Sequence, residues 1–225
     1  MWCVPELDEE YIARMENILD LYERPVSRDE PVVCLDERPI ALHGEKRERT
    51  RVKSGKDAHV DYEYVRKGTA NIFVAVEPLA GKHITKVTPT RTGGEFAKML
   101  GQIARRYPKA RTIHLVMDNL STHSCRSLER HYGEDKGRAL WSRFTIHFTP
   151  KHASWLNQAE IEISILNRQS IGCLRFEDIP TLRQHVRAWN RRVNTEHLRI
   201  NWGFTSVKAR HKFGYEPVRT FWSGD

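Results

Sequence analysis

The sequence predicts an α/β fold: a mixed five-stranded sheet with helices on its faces. Three observations predict it. Five short segments are apolar and β-rich, five others place apolar residues at helical spacing, and the two kinds alternate along most of the 225 residues. A chain of this length can bury one well-covered core. Its composition, 39% hydrophobic and 29% charged, is that of a globular protein rather than a disordered one.

The elements follow in order. Residues 6–22 place Leu7, Tyr11, Met15, Ile18, Leu19 and Tyr22 on one helical face, with Glu9, Glu10, Glu16 and Asp20 on the other. Pro25 and Pro31 bracket a loop. Val32 to Leu35 reads as a short buried strand that ends at Asp36. A charged stretch follows, centred on Lys46 to Lys53; a nucleic-acid patch and a solvated loop are both open readings of it. Gly68 to Val76 is a second strand, Glu77 to Gly81 a turn, and Lys82 to Thr88 a third strand completing an antiparallel hairpin. Thr92-Gly93-Gly94-Glu95 has the form of a capping box ahead of a helix that Pro108 ends. Residues 111–117 make a fourth strand, ending at Asp118. A helix is expected over about 123–132, then a polar loop around Gly133 and Gly137. Phe144 to Phe148 makes a fifth strand. Helices are expected from Leu156 to Gln169 and from Asp178 onward, the latter with Pro180 in its first turn. From Gly203 the chain reads as a short basic tail.

Several classes fall away. No apolar run approaches the ~20 residues of a membrane helix, and the acidic amino terminus lacks the order of a secretion signal. A cytoplasmic location is the expectation. Cys3, Cys34, Cys125 and Cys173 are scattered, which suits reduced thiols better than structural zinc. The formal charge is +8. From Thr181 onward there are nine Lys or Arg against three acidic residues. A polyanionic partner is consistent with that surplus.

Three acidic residues carry the chemistry. Asp36 and Asp118 each close an apolar strand, and short crossovers should set those strands side by side. Glu160 belongs to a helix whose Asn157, Glu160, Ser164 and Asn167 form one polar stripe between apolar faces. Glu162 lies about 200° around that helix, so it cannot share a site with Glu160. Two aspartates at strand ends and a glutamate from a later helix can hold divalent metal ions, because hard oxygen donors match hard cations. The bland readings are a turn aspartate or an Asp36–Arg38 pair, a helix cap at Asp118, and a solvent-facing Glu160.

Val33-Cys34-Leu35-Asp36-Glu37, Val116-Met117-Asp118-Asn119-Leu120-Ser121-Thr122-His123 and Thr149-Pro150-Lys151-His152-Ala153-Ser154-Trp155-Leu156-Asn157-Gln158-Ala159-Glu160 resemble the three signature blocks of bacterial insertion-sequence transposases related to mariner, the insertion sequence six-thirty group of the DDE transposase superfamily. Asp61-Tyr62-Glu63-Tyr64, Gly68-Thr69-Ala70-Asn71 and Glu77-Pro78-Leu79-Ala80-Gly81 resemble that family too. The likeness spans about residues 2–215.

The resemblance implies a ribonuclease H-like catalytic domain over 31–215, preceded by a packing helix and loop (1–30) and followed by a tail (216–225). It implies that Asp36, Asp118 and Glu160 are the catalytic trio and hold two Mg²⁺ or Mn²⁺ ions. The implied reaction is cleavage of DNA at transposon ends and strand transfer, the partners are double-stranded transposon ends and target DNA, and the assembly is a homodimer. Whole family members carry an amino-terminal helix-turn-helix region, which is expected here on a separate segment. His123, Lys151 and His152 are candidate contacts to the scissile phosphate or its flanking strand, with a helix cap and a loop as the plainer reading. Asn119 and Asn157 are candidates to orient the carboxylates. Arg183, Arg187 and Arg191 recur every four residues and are candidates to track a DNA backbone, or form a solvated helix face. A basic DNA-binding remnant without activity and a ribonuclease H-like nuclease are the rival functions; the Thr149–Glu160 block favours the transposase.

Overall fold

The computed structural model describes residues 7–46 and 63–216. The basic run beyond Lys46, Asp61-Tyr62 and the last nine residues lie outside the described residues. Five strands run β1 Val32–Glu45, β2 Tyr64–Glu77, β3 Lys82–Thr88, β4 Ile113–Met117 and β5 Phe144–Phe148. The helices are α1 Glu9–Glu23, α2 Gly93–Arg106, α3 Cys125–Tyr132, α4 Glu134–Trp141, α5 Ala159–Leu166, α6 Ile179–Thr195 and α7 Ser206–Phe213.

The sheet order is β3-β2-β1-β4-β5. The first three strands form an antiparallel meander, and β4 pairs parallel with both β1 and β5. This is the mixed, ribonuclease H-like sheet. Its topology follows from connection length. The β2–β3 hairpin turns within Glu77–Lys82, whereas the parallel steps need crossovers, which α2 and the α3–α4 pair supply. Gly81 makes the tight turn possible. It sits at φ +63°, and a Cβ there would lie 2.7 Å from the His197 carbonyl.

The strand period of two sorts side chains between two layers. Val33 and Leu35 of β1 point to one face, where they pack with Phe73, Leu115 and Met117 against Phe96, Met99, Leu100 and Ile103 of α2 and Leu128 of α3. Cys34 points the other way and meets Met15, Ile18 and Leu19 of α1 with Leu156 and Ala159. Farther along, Ile72 and Val74 pack under Leu182, Val186, Trp189 and Val193 of α6. Burying each such Leu, Ile or Phe contributes about 1.5–3 kcal/mol.

Four expectations need correction. The first strand does not end at Asp36 but runs on to Glu45, through Pro39. β4 pairs only with Val32 to Cys34, so beyond that β1 has an open edge, where a residue without an N–H is tolerated. The polar loop around Gly137 is instead α4. Gly137 is its contact point: a Cβ there would lie 2.5 Å from the Glu129 amide, so only glycine lets α4 lie against α3. The helix expected over Leu156 to Gln169 is three pieces: a 3₁₀ turn at Ser154–Leu156, α5, and a π turn at Asn167–Ile171. The stretch after Gly203 contains α7, capped by the Thr205 hydroxyl and ended by Gly214 at φ +67°. Arg210 of α7 pairs with Glu16 of α1 at 2.7 Å, and the Ser206 hydroxyl donates to Asp20 at 2.5 Å.

Candidate active site

The pairing of β1 with β4 stops just short of Asp36 and Asp118 and brings both aspartates to the same end of the sheet. Cys34 pairs with Val116 in parallel. Asp36 lies two residues beyond that pair on β1, and Asp118 two residues beyond it, just past the end of β4. Asp36 pairs across β2 with Val74, which faces α6, so its side chain emerges on the α5–α6 side.

A buried amide brings the third carboxylate in. Asn157 Nδ2 donates to the Leu35 carbonyl at 2.8 Å, one residue before Asp36. Its Oδ1 accepts from the Ala159 amide at 3.2 Å, and its carbonyl accepts from the Glu160 amide at 3.0 Å. One side chain thus stitches the start of α5 to β1, and Glu160 sits in that first turn. Glu162 points away. It is buried and lies 3.0 Å from His83 Nε2.

The trio is an electrostatic unit. Burial pushes the Asp36 carboxyl up to about 7; a 2.7 Å hydrogen bond from the Glu37 amide opposes this, and the Glu160 and Asp118 carboxylates add to it by repulsion. No cation or donor engages the half-buried Glu160 carboxylate among the described residues. Three oxygen-bearing side chains, of which Glu160 has no counter-charge among the described residues, fit a hard divalent cation. They stand open: among the described residues, no three His, Cys, Asp or Glu side chains are drawn together as an ion cage.

His123 departs from its expected place at the phosphate. It is buried, stacked on Phe96 at 4.5 Å. Its Nδ1 lies 2.8 Å from Asp118 Oδ1 and 3.1 Å from the Asp118 carbonyl, and its Nε2 lies 3.0 Å from Glu37. Burial works against a charged ring here, but the two flanking carboxylates outweigh it and raise the pKa to about 9. His123 is therefore held between the Asp118 backbone and Glu37, with its ring against the Asp118 carboxylate and neither ring nitrogen left for DNA. Glu37, which follows Asp36 and so faces the opposite layer, is the partner that sequence reasoning missed. Arg91 approaches its other oxygen at 3.5 Å.

The remaining candidates divide. Asn157 is at the site as described. Asn119, Lys151 and His152 are exposed on the loops around it, His152 at φ +63°, an uncommon conformation for a non-glycine residue. Arg187 and Arg191 are exposed on α6 and Arg183 is half-buried. Arg191 borders a hollow of about 630 Å³ with Arg105 and Arg106, at the β3 edge of the sheet, two strands from Asp36.

Fold and site together define a ribonuclease H-like domain bearing an acidic trio. The chain belongs to the DDE superfamily of endonucleases: the family model matches residues 31–183, which include Asp36, Asp118 and Glu160. No curated protein sequence matches the chain. Its fold is similar to that of the Mos1 mariner transposase. In the Mos1 paired-end complex with Mn the TM-score is 0.57 at 17% identity, over 88% of this chain and 60% of that one. The Mos1 strand transfer complex gives 0.54 at 17% identity, over 85% and 57%. The paired-end complex with Mg gives 0.51 at 17% identity, over 88% and 63%. The chain thus spans about 60% of the length of the Mos1 chain.

Proposed function

We propose that this chain is the catalytic domain of a bacterial insertion-sequence transposase, cutting DNA at transposon ends and joining the freed strand to target DNA. The observation that carries the reading is Asp36 and Asp118, each two residues past the last β1–β4 pairing and joined by Glu160 from the first turn of α5, inside the matched endonuclease region. Support comes from the Mos1 structures of similar fold, which include paired-end and strand transfer complexes and forms with Mn and Mg.

Asp36, Asp118 and Glu160 would hold two Mg²⁺ or Mn²⁺ ions. Bound there, such ions supply Lewis acidity and activate water or a 3′-hydroxyl for in-line attack. The protein's own groups set the stage. His123 holds Asp118 in one orientation, and Asn157 holds the first turn of α5 against β1. Asp36 must lose its proton to serve as a ligand, so the proton and the metal ions would compete for it. Lys151, His152 and the α6 arginines are proposed DNA contacts, double-stranded ends and target being the partners. A homodimer holding two ends and a separate helix-turn-helix segment complete the proposal.

The test is incubation with Mg²⁺ or Mn²⁺ and DNA carrying the ends of the element, beside an RNA–DNA hybrid, repeated with Asp118→Asn. Cutting at the ends that the variant loses supports the transposase. Hybrid cutting points to a nuclease, and binding without cutting to an inactive remnant.

A further inference from the structure

Arg38 stands two residues from Asp36 on the same face of β1. Its strand partner Ile72, like the Asp36 partner Val74, packs under α6. Its guanidinium does not turn back to Asp36. Nη2 donates instead to Asn167 Oδ1 at 3.1 Å. Asn167 opens the π turn after α5, seven residues from Glu160 and so on the same side of the helical path. Asp36 and Glu160 therefore form one rung of the cleft between β1 and α5, and Arg38 and Asn167 form the next.

The chemistry of that second rung is incomplete. Asn167 is neutral, and Arg38 has no carboxylate partner among the described residues. Its Nε is buried with no hydrogen-bond partner among the described residues. A buried unpaired donor is costly, and a guanidinium presents a planar fork of donors that matches the oxygens of a phosphate. Two residues along a strand advance about 6.6 Å, on the scale of one nucleotide of a DNA strand. A wide π turn is a frequent feature of functional sites, and here it carries the oxygen that steers the arginine.

We propose that Arg38, steered by Asn167, binds a backbone phosphodiester of DNA next to the one presented to the acidic trio. The site rests on the reading that this cleft acts on a DNA strand. It places a cation where a polyanion must approach three carboxylates. A plainer role, a brace between β1 and the π turn, makes a different prediction.

Binding of a fluorescently labelled DNA duplex is measured by anisotropy in EDTA across a series of KCl concentrations. Arg38→Gln and Arg38→Ala are compared with the unaltered chain, with circular dichroism as the check on folding. Loss of one phosphate contact lowers the slope of log K against log salt by about 0.9. Both variants should show that drop, and Arg38→Lys should keep the slope while binding more weakly. Asn167→Ala should weaken binding with the slope retained. If Arg38→Ala does not fold, Arg38→Gln decides, because it keeps a donor for Asn167. An unchanged slope in a folded Arg38→Gln would overturn the site and leave only the brace, as would absence of DNA binding by the unaltered chain. Metal-dependent cutting of element ends is a separate assay, so the site and the transposase reading can fail independently.

Discussion

Glu160 and Glu162 stand two residues apart on α5 and enter opposite worlds. Glu162 reaches the β3 edge of the sheet, where buried charges are answered. It lies 3.0 Å from His83, and nearby Glu77 receives Lys82 at 2.8 Å and the Tyr107 hydroxyl at 2.9 Å. Even the exposed backbone of the edge strand is answered there, since the Asn194 side chain accepts from the His83 amide and donates to its carbonyl, each at 2.9 Å. Glu160 reaches the cleft, where Asp36 is pushed up to about 7 by burial and by its acidic neighbours. Burying charge without a partner costs stability. The fold avoids that cost at the edge and accepts it in the cleft, which marks the cleft as the place where something from outside completes the charge balance.

That contrast can be broken at its ends. Glu160→Gln is expected to reduce metal-dependent cutting at least ~100-fold, the scale of losing one transition-state-stabilising group, with the thermal midpoint unchanged or raised. Glu162→Gln should leave the chemistry of the folded protein in place. The reverse ranking in a cleavage assay would mean that α5 is rotated from the phase described. His83→Ala removes the ring that lies against the buried Glu162 carboxylate and should cost about 1–3 kcal/mol in a urea titration; an unchanged midpoint would show the contact to be idle.

Asn157 joins the two regions, since it holds α5 to β1. Asn157→Ala leaves the Leu35 carbonyl unpaired and should cost about 1–3 kcal/mol, with a fall in cutting as Glu160 loosens. Equal loss of stability without loss of cutting would assign it to the fold alone. The smallest effect is in pH. Asp36 has a raised folded-state pKa, so its contribution to stability is full below about pH 4 and is lost as pH rises through about 7. Comparing metal-free melting of the chain and Asp36→Asn across that window should reveal a difference on the order of 1–2 kcal/mol after solvent screening. A parallel pH course for the two would sever Asp36 from the cluster.

Much of this architecture was legible in the sequence because periods of two and 3.6 separate strands from helices and because Asp36, Asp118 and Glu160 sit at breaks in apolar runs. What escaped is tertiary. The first strand reads as ending at Asp36, yet the open edge of β1 carries Glu37-Arg38-Pro39 onward in the same strand. The buried residues of α7 are only Ser206 and Ala209, too small to print an apolar period. α4 hides behind Gly137, whose missing side chain is its packing surface. The His123–Glu37 contact joins positions 86 residues apart, and no local pattern announces it.

The cleft carboxylates are proposed to bind divalent ions. Electron paramagnetic resonance of free Mn²⁺ titrated with the chain near neutral pH tests it most directly. Two bound ions, with binding lost in Glu160→Gln and kept in Glu162→Gln, is the predicted result. Mn²⁺ binding that survives Glu160→Gln unchanged would contradict the account.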